Sequence, residues 1–223
     1  TNSSERLFAV ARQSDGKFVA VGAGASGATL GRGDDLIVLR LNANGTLDTS
    51  FDGDGIATYS QASAAGVRND SGRAVAIQSD GAIVVAGWSS DANNNSRLTV
   101  WRLTSSGALD TTFNTTGYFV DAAPLATLNV NEQRVGLGID GSGRIYVAAS
   151  RFAAGTGIDL GIWRLTSGGA LDTTFDGDGI YVQHNAGGGN GRDMGHSLLF
   201  DGSNKVMIGG QSRGSGTNDQ DGI

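Results

Sequence analysis

Apolar residues along this chain come in short blocks. Runs rich in Val, Ile, Leu, Ala and aromatic residues occupy positions 7–13, 17–21, 36–41 and 56–59. The same order returns at 74–78, 82–86, 98–103 and 118–120, and again at 135–140, 144–148, 160–165 and 180–182. A last pair lies at 197–200 and 205–208. No long helical pattern competes, and several runs are apolar on both faces, as strands covered on both sides should be. A short turn divides the first two runs of each set: Ser14-Asp15-Gly16, Ser79-Asp80-Gly81, Gly141-Ser142-Gly143 and Gly202-Ser203-Asn204. Residues that tolerate positive φ predict hairpins there.

A motif marks the link between the third and fourth runs. Leu47-Asp48-Thr49-Ser50-Phe51-Asp52-Gly53-Asp54-Gly55 returns as Leu109-Asp110-Thr111-Thr112-Phe113-Asn114-Thr115-Thr116-Gly117 and as Leu171-Asp172-Thr173-Thr174-Phe175-Asp176-Gly177-Asp178-Gly179, a period of 62 residues. A fixed long period means one structural unit copied and stacked. Four antiparallel strands per unit predict an all-β fold, a β-propeller built of four-stranded blades. Its period exceeds the usual blade repeat of roughly 40–50 residues, and the excess sits in loops. A β-helix is the main rival, but its coils are shorter and carry no pair of hairpins per period.

The units divide the chain at 1–73, 74–134, 135–195 and 196–223. The fourth reaches only its first half, so the expectation is a fragment of a longer array. Pairing with a second copy is the alternative, because half a blade leaves an open edge. The first run alternates small residues (Ala9 and Ala11, Ala74 and Ala76, Gly136 and Gly138), which suits the crowded innermost strand. Trp101 and Trp163 share one repeat position and read as core.

Composition narrows the function. The 223 residues include 37 Gly, one Pro and no Cys, and the net charge is −6. Disulfides and thiolate metal sites are excluded. Nucleic acid is not an expected partner, since no Lys/Arg cluster is present to meet phosphates. No apolar run is long enough for a membrane-spanning helix.

The units resemble the delta-60 repeat, a β-propeller-like tandem repeat of bacterial surface and secreted proteins. The resemblance rests on Gln13-Ser14-Asp15-Gly16-Lys17-Phe18-Val19-Ala20-Val21-Gly22 and on Leu39-Arg40-Leu41-Asn42-Ala43-Asn44-Gly45-Thr46-Leu47-Asp48-Thr49-Ser50-Phe51. Gln78-Ser79-Asp80-Gly81, Trp101-Arg102-Leu103 and Trp163-Arg164-Leu165 follow in step. The Asp-Gly turn is lost at Gly141-Ser142-Gly143 and Ser203-Asn204. The resemblance implies a cell-surface or extracellular protein and no particular reaction.

Repeated charges come next. Arg40, Arg102 and Arg164 share one position, and Asp48, Asp110 and Asp172 another. The expectation is pairing within each blade, because a buried charge must be paired or hydrogen-bonded. Asp52, Asp54, Asp176 and Asp178 form Asp-Gly-Asp-Gly segments that resemble the start of a calcium loop. They lack the closing Glu, and the second unit has Asn114-Thr115-Thr116 instead, so a tight turn is the default and calcium the alternative. Gly188-Gly189-Asn190-Gly191-Arg192-Asp193, the glycines of 22–27 and Arg32-Gly33-Asp34 read as loop or chance matches. His184 and His196 are not repeated, and no nucleophile pattern accompanies them.

Trp88 breaks the repeat, standing where the other units have Ala23, Ser150 and Gln211. An exposed Trp there would stack on a sugar or anchor a partner, and packing beneath its own loop is the competing reading. Arg97 and Arg151, beside the same class of loop, are the other candidate ligand-binding residues. The loops 23–35, 61–73, 89–97, 121–134, 150–159, 183–195 and 211–222 emerge on one face and differ among units, whereas the hairpins and the Leu-Asp-Thr motif share the other. Variable loops on a fixed scaffold are where recognition is expected. The leading function is a non-catalytic binding or adhesion module that recognises a cell-surface glycan or protein. A glycan-active propeller enzyme and a spacer of a surface fibre are the alternatives.

Overall fold

The computed structural model describes residues 5–24, 33–60, 62–63, 69–125, 134–153, 157–186, 191–213 and 221–222. Among them the regular structure is almost entirely strand. The chain forms two compact units, Thr1–Ala122 and Ala123–Ile223.

The first unit holds two four-stranded sheets. One runs β1 (Arg6–Arg12), β2 (Phe18–Gly24), β3 (Asp35–Leu41), β4 (Ile56–Tyr59); the other β5 (Asp70–Ile77), β6 (Ile83–Ser90), β7 (Ser96–Leu103), β8 (Tyr118–Pro124). The second unit holds β9 (Val135–Ile139), β10 (Ile145–Ala153), β11 (Gly157–Leu165) and β12 (Ile180–Gln183) in one sheet. Its other sheet is three-stranded: β13 (Asp193–Phe200), β14 (Val206–Ser212) and β15 (Asp221–Gly222). Each strand pairs antiparallel with its neighbour in sequence, so every sheet is a meander. The fold is all-β with four-stranded antiparallel blades. β5 and β13 begin a little ahead of the expected joints at 74 and 196.

In the first unit the core lies between the sheets, with Val19, Val21, Leu36, Val38 and Phe51 of one against Ile83, Val85, Trp101 and Leu103 of the other. Burying side chains of this size stabilises by about 1.5–3 kcal/mol each. Trp101 and Trp163 are 1% and 0% exposed, as core residues should be.

First strands of neighbouring sheets pack on each other, β1 on β5 and β9 on β13. This explains their small residues. A Cβ on Gly136 would stand 2.7 Å from the Ser197 carbonyl carbon, and one on Gly138 would stand 2.5 Å from a Leu198 methyl. The first strand also bulges in three sheets, between Leu7 and Ala9, Gly72 and Ala74, and Gly195 and Ser197. Opposite each bulge is a glycine: the carbonyl oxygens of Arg6, Ser71 and Met194 occupy the places where Cβ atoms of Gly22, Gly87 and Gly210 would stand. Gly22 therefore serves a strand and not a dinucleotide loop. The sheet of β9–β12 has Ala149 at this position, paired with Val135 without a bulge.

The hairpins keep one backbone through the loss of the Asp-Gly pair. Gly16, Gly81, Gly143 and Asn204 all take positive φ, from 64° to 89°. In the first two sheets the turn is held by Asp15 and Asp80, whose Oδ1 atoms accept from the amides of Lys17 and Ala82 at 3.1 and 3.0 Å. In the last two the carboxylate comes from the residue that opens the turn. Asp140 Oδ1 accepts from Ser142 and Arg144 amides at 2.9 and 3.0 Å, and Asp201 Oδ1 from Ser203 and Lys205 amides at 2.8 Å each.

Candidate functional site

The motif end of the sheets is built three times from the same bonds. Arg40 Nε donates to Asp48 Oδ2 at 2.7 Å, and Arg102 Nε to Asp110 Oδ2 at 2.8 Å. Arg164 Nε lies 2.8 Å from Asp172 Oδ2. The second guanidinium nitrogen donates to Ser50, Thr112 or Thr174, and each of these hydroxyls donates to Oδ1 of its own aspartate. The guanidinium carbons stand 4.8–4.9 Å from the ring centroids of Phe51, Phe113 and Phe175. In each copy the arginine, the Leu-Asp-Thr aspartate and Ser50, Thr112 or Thr174 are thus bonded to one another within one sheet. In the first unit Arg40 also donates to the Ser105 carbonyl at 2.5 Å, tying the two sheets together.

These bonds hold the three carboxylates below their ordinary range. For Asp48 the leading cause is the hydrogen bond from Lys17, followed by Ser50. For Asp110 and Asp172 it is the hydroxyl of Thr112 or Thr174, with the arginine adding to it. Nearby, burial and then the charge of Asp52 push the Tyr59 phenol up to about 12.

The Asp-Gly-Asp-Gly segments are explained by their backbone. Asp52, Asn114 and Asp176 have φ of 50°, 47° and 50°, in the left-handed region that Asp and Asn tolerate. Gly53 and Gly177 follow at 91° and 85°. Asp54 and Asp178 accept from the amides of Ile56 and Ile180, both at 2.8 Å, which starts the fourth strand. Among the described residues no group of three or more His, Asp or Glu side chains converges as a metal site. Thr115 stands in the second copy where the others have glycine, and its φ is 62°, unfavourable for a β-branched residue.

At the opposite strand ends, the segments 25–32, 64–68, 126–133, 154–156, 187–190 and 214–220 lie outside the described residues. Arg32 of the Arg-Gly-Asp triplet and Gly27 of the glycines at 22–27 fall there. Trp88 is 8% exposed, packed on its sheet and not presented to solvent. Its indole Nε1–H donates to no acceptor among the described residues. Arg97 pairs with Asp91 at 2.7 Å and also donates to the Ala122 carbonyl, linking β7 to β8. Asp91 caps its own turn by accepting from the Asn93 and Asn95 amides, both at 2.9 Å. Arg151 lies in the second unit, on β10, bridged to Leu125. Trp88 and Arg97 share one sheet; Arg151 belongs to another unit.

Sequence reasoning passed over a set of buried acids at these ends. Asp70 and Asp193 open β5 and β13 and are 0% and 1% exposed; Asp159 on β11 is 0% exposed. Ser212 donates to Asp193, and His184 Nδ1 lies 3.3 Å from Asp159 Oδ2. The signal was present as a repeat: Glu5, Asp70 and Asp193 hold one position. His196 is the bulged residue of β13, next to Gln211 at 3.2 Å, and burial followed by the charge of Arg134 holds its pKa down.

A cleft of about 780 Å³ opens at the motif end of the first unit, between its two sheets. Gln13 and Gln78, the residues that open the first two hairpins, line it. The Oε1 atom of each is shut off from solvent without a hydrogen-bond donor. An unmet acceptor costs about 1–3 kcal/mol.

Repeating four-stranded meanders that lock onto one another define a β-propeller. A family model described as "Domain of unknown function (DUF5122) beta-propeller" matches at residues 13–51, 78–113 and 141–175, so these three segments are similar to the repeats of that propeller family. Each match runs from the first hairpin to the motif phenylalanine, Phe51, Phe113 or Phe175. Among curated proteins none matches the chain. Among solved structures, the crystal structure of endo-arabinase from Bacteroides thetaiotaomicron VPI-5482 is similar at 11% identity and a TM-score of 0.47, over 96% of this chain and 72% of that one.

Proposed function

We propose that the chain is a non-catalytic binding module, its repeats of the delta-60 type, in an exported bacterial surface protein. Its partner is a cell-surface glycan or protein, recognised at the loop ends of the sheets. The observation that supports this is the contrast between strand ends. The motif end repeats one self-satisfied Arg–Asp–hydroxyl lock three times. At the loop end Arg97, tied to Asp91, has no counterpart arginine at the same position in the other sheets, where Asp35 and Asp159 stand. A fixed scaffold with chemically different loops suits recognition, not a function carried by every copy.

The test is a glycan array followed by titration of the best ligand, or of a captured surface protein. Arg97→Ala and Arg151→Ala should lower affinity by roughly tenfold or more, the loss of one charge-assisted contact. Asp52→Asn and Asp176→Asn should leave it unchanged. The reverse pattern would move recognition to the motif end, and turnover of the glycan would make the chain an enzyme.

A further inference from the structure

The hairpin chemistry of the first unit frees two side chains that the second unit keeps occupied. Position 13 recurs as 78, 140 and 201. At 140 and 201 it is an aspartate, and its carboxylate is consumed by the turn; Asp140 also takes Arg144 Nε at 2.6 Å. At 13 and 78 it is glutamine, because Asp15 and Asp80 hold the turn instead. The two glutamines line the same cleft, and their Oε1 atoms meet no donor. The last torsion of a Gln side chain is broad and roughly two-fold, so each amide turns over readily. Each Oε1 is shut off from solvent and Nε2 is not, so that rotation exchanges the two and turns the carbonyl out of its buried position.

The rest of the lining extends the pattern. Ser14 and Ser79 add hydroxyls. Arg12 adds a cation where the other sheets have Ile77, Ile139 and Phe200. No Asp or Glu among the described residues lies within ion-pair distance of Arg12. Asp15 also lines the cleft, 3.9 Å from Lys17, and Arg40 in its wall is held by Asp48. The cleft therefore offers two acceptors in search of donors and one cation in search of an anion. Its volume lies within the usual range for small-ligand sites, about 300–1,000 Å³.

We propose that this cleft binds an acidic saccharide: ring hydroxyls donate to the carbonyls of Gln13 and Gln78, and the carboxylate lies against Arg12. A neutral sugar would leave Arg12 unmet, and a simple anion would leave the amides unmet. The site is separate from the loop ends, so its failure would not bear on the binding module proposed above, nor the reverse.

Calorimetric titration of the 223-residue protein with digalacturonate tests it, with galactobiose and inorganic sulfate as comparisons. Digalacturonate should bind at least about tenfold more tightly than either, the worth of one charge-assisted contact or more. Gln13→Leu with Gln78→Leu should weaken it at least about tenfold, and Arg12→Gln by a similar factor, with urea midpoints not lowered. Gln78→Asp is the second variant. It carries the residue that positions 140 and 201 already accommodate, and it should weaken digalacturonate through repulsion. The proposal falls if digalacturonate does not bind, if galactobiose or sulfate binds as tightly, or if the folded variants keep wild-type affinity.

Discussion

The hairpins that open the first two sheets and those that open the last two share a backbone and differ in chemistry. Gly16 and Gly81 match Gly143 and Asn204 in their positive φ, and all four turns close with the same pair of backbone bonds. Yet the carboxylate that holds the turn comes from its middle in one pair and from its first residue in the other. One conformation is thus reached by two polar solutions, and the choice decides what else the turn can do. Where the first residue is an aspartate, it is spent on structure. Where it is glutamine, the side chain lines a cleft and its Oε1 has no donor among the described residues.

The largest effect should appear where one sheet departs from the others at the bulge. Gly87→Ala places a methyl on the Ser71 carbonyl oxygen, so the bulge must be lost or the sheet displaced. Urea denaturation should show a loss of more than about 3 kcal/mol, the range of severe core overpacking. The equivalent change in the unbulged sheet, Ala149→Gly, should cost no more than about 1 kcal/mol. Equal costs would mean that the bulge is not what separates these sheets.

The hairpins themselves come next. Asp140→Ala removes two amide bonds and the Arg144 pair, and should destabilise by about 2 kcal/mol. Gln78→Ala removes an amide whose carbonyl has no partner, and should cost less than about 0.5 kcal/mol or stabilise. If both cost the same, the exchange of polar solutions described above is wrong. A smaller gain is expected from Thr115→Gly. It installs the residue of the other two copies at a left-handed position, and should stabilise by about 1 kcal/mol in the same assay.

Most of the strands could be read from the chain, and the reason is physical. β4, β7 and β11 contain apolar runs that hydrophobic patterning detects directly. What patterning missed was the polar ends of strands. Asp70, Ser71, Ser89, Ser90 and Ser96 continue β5, β6 and β7 although they look like loop, because they are paired in the sheet, and most are buried there. Trp88 shows a related limit: it differs from its repeat partners, but only packing reveals that its ring faces inward. The Arg–Asp pairing could be inferred because an uncompensated buried charge is so costly. The Gln13 and Gln78 pair could not, since it depends on which residue of a turn caps it, and the change from Gln to Asp at 140 looks conservative until the hydrogen bonds are traced.

Acid should expose the motif locks. Asp48, Asp110 and Asp172 are held below the ordinary carboxylate value, near 3.9. As pH falls, the unfolded chain binds protons before the folded one does. The stability these groups supply is therefore fully present above the unfolded value and lost as pH drops through the folded values. Urea midpoints should be level from pH 7 to about 5 and fall below about 4. A midpoint that rises on acidification would reverse the assigned sign.

The central claim is that the repeated motif is a structural lock and that recognition belongs to the residues that break the repeat. A double-mutant cycle on Arg102 and Asp110, measured by urea denaturation of Arg102→Met, Asp110→Asn and the double variant, tests the lock most directly. The pair is 2.8 Å apart and mostly shielded from solvent. A coupling of about 1 kcal/mol or more, allowing for partial screening, is the predicted result. A coupling indistinguishable from zero would contradict the account and return the motif to the search for function.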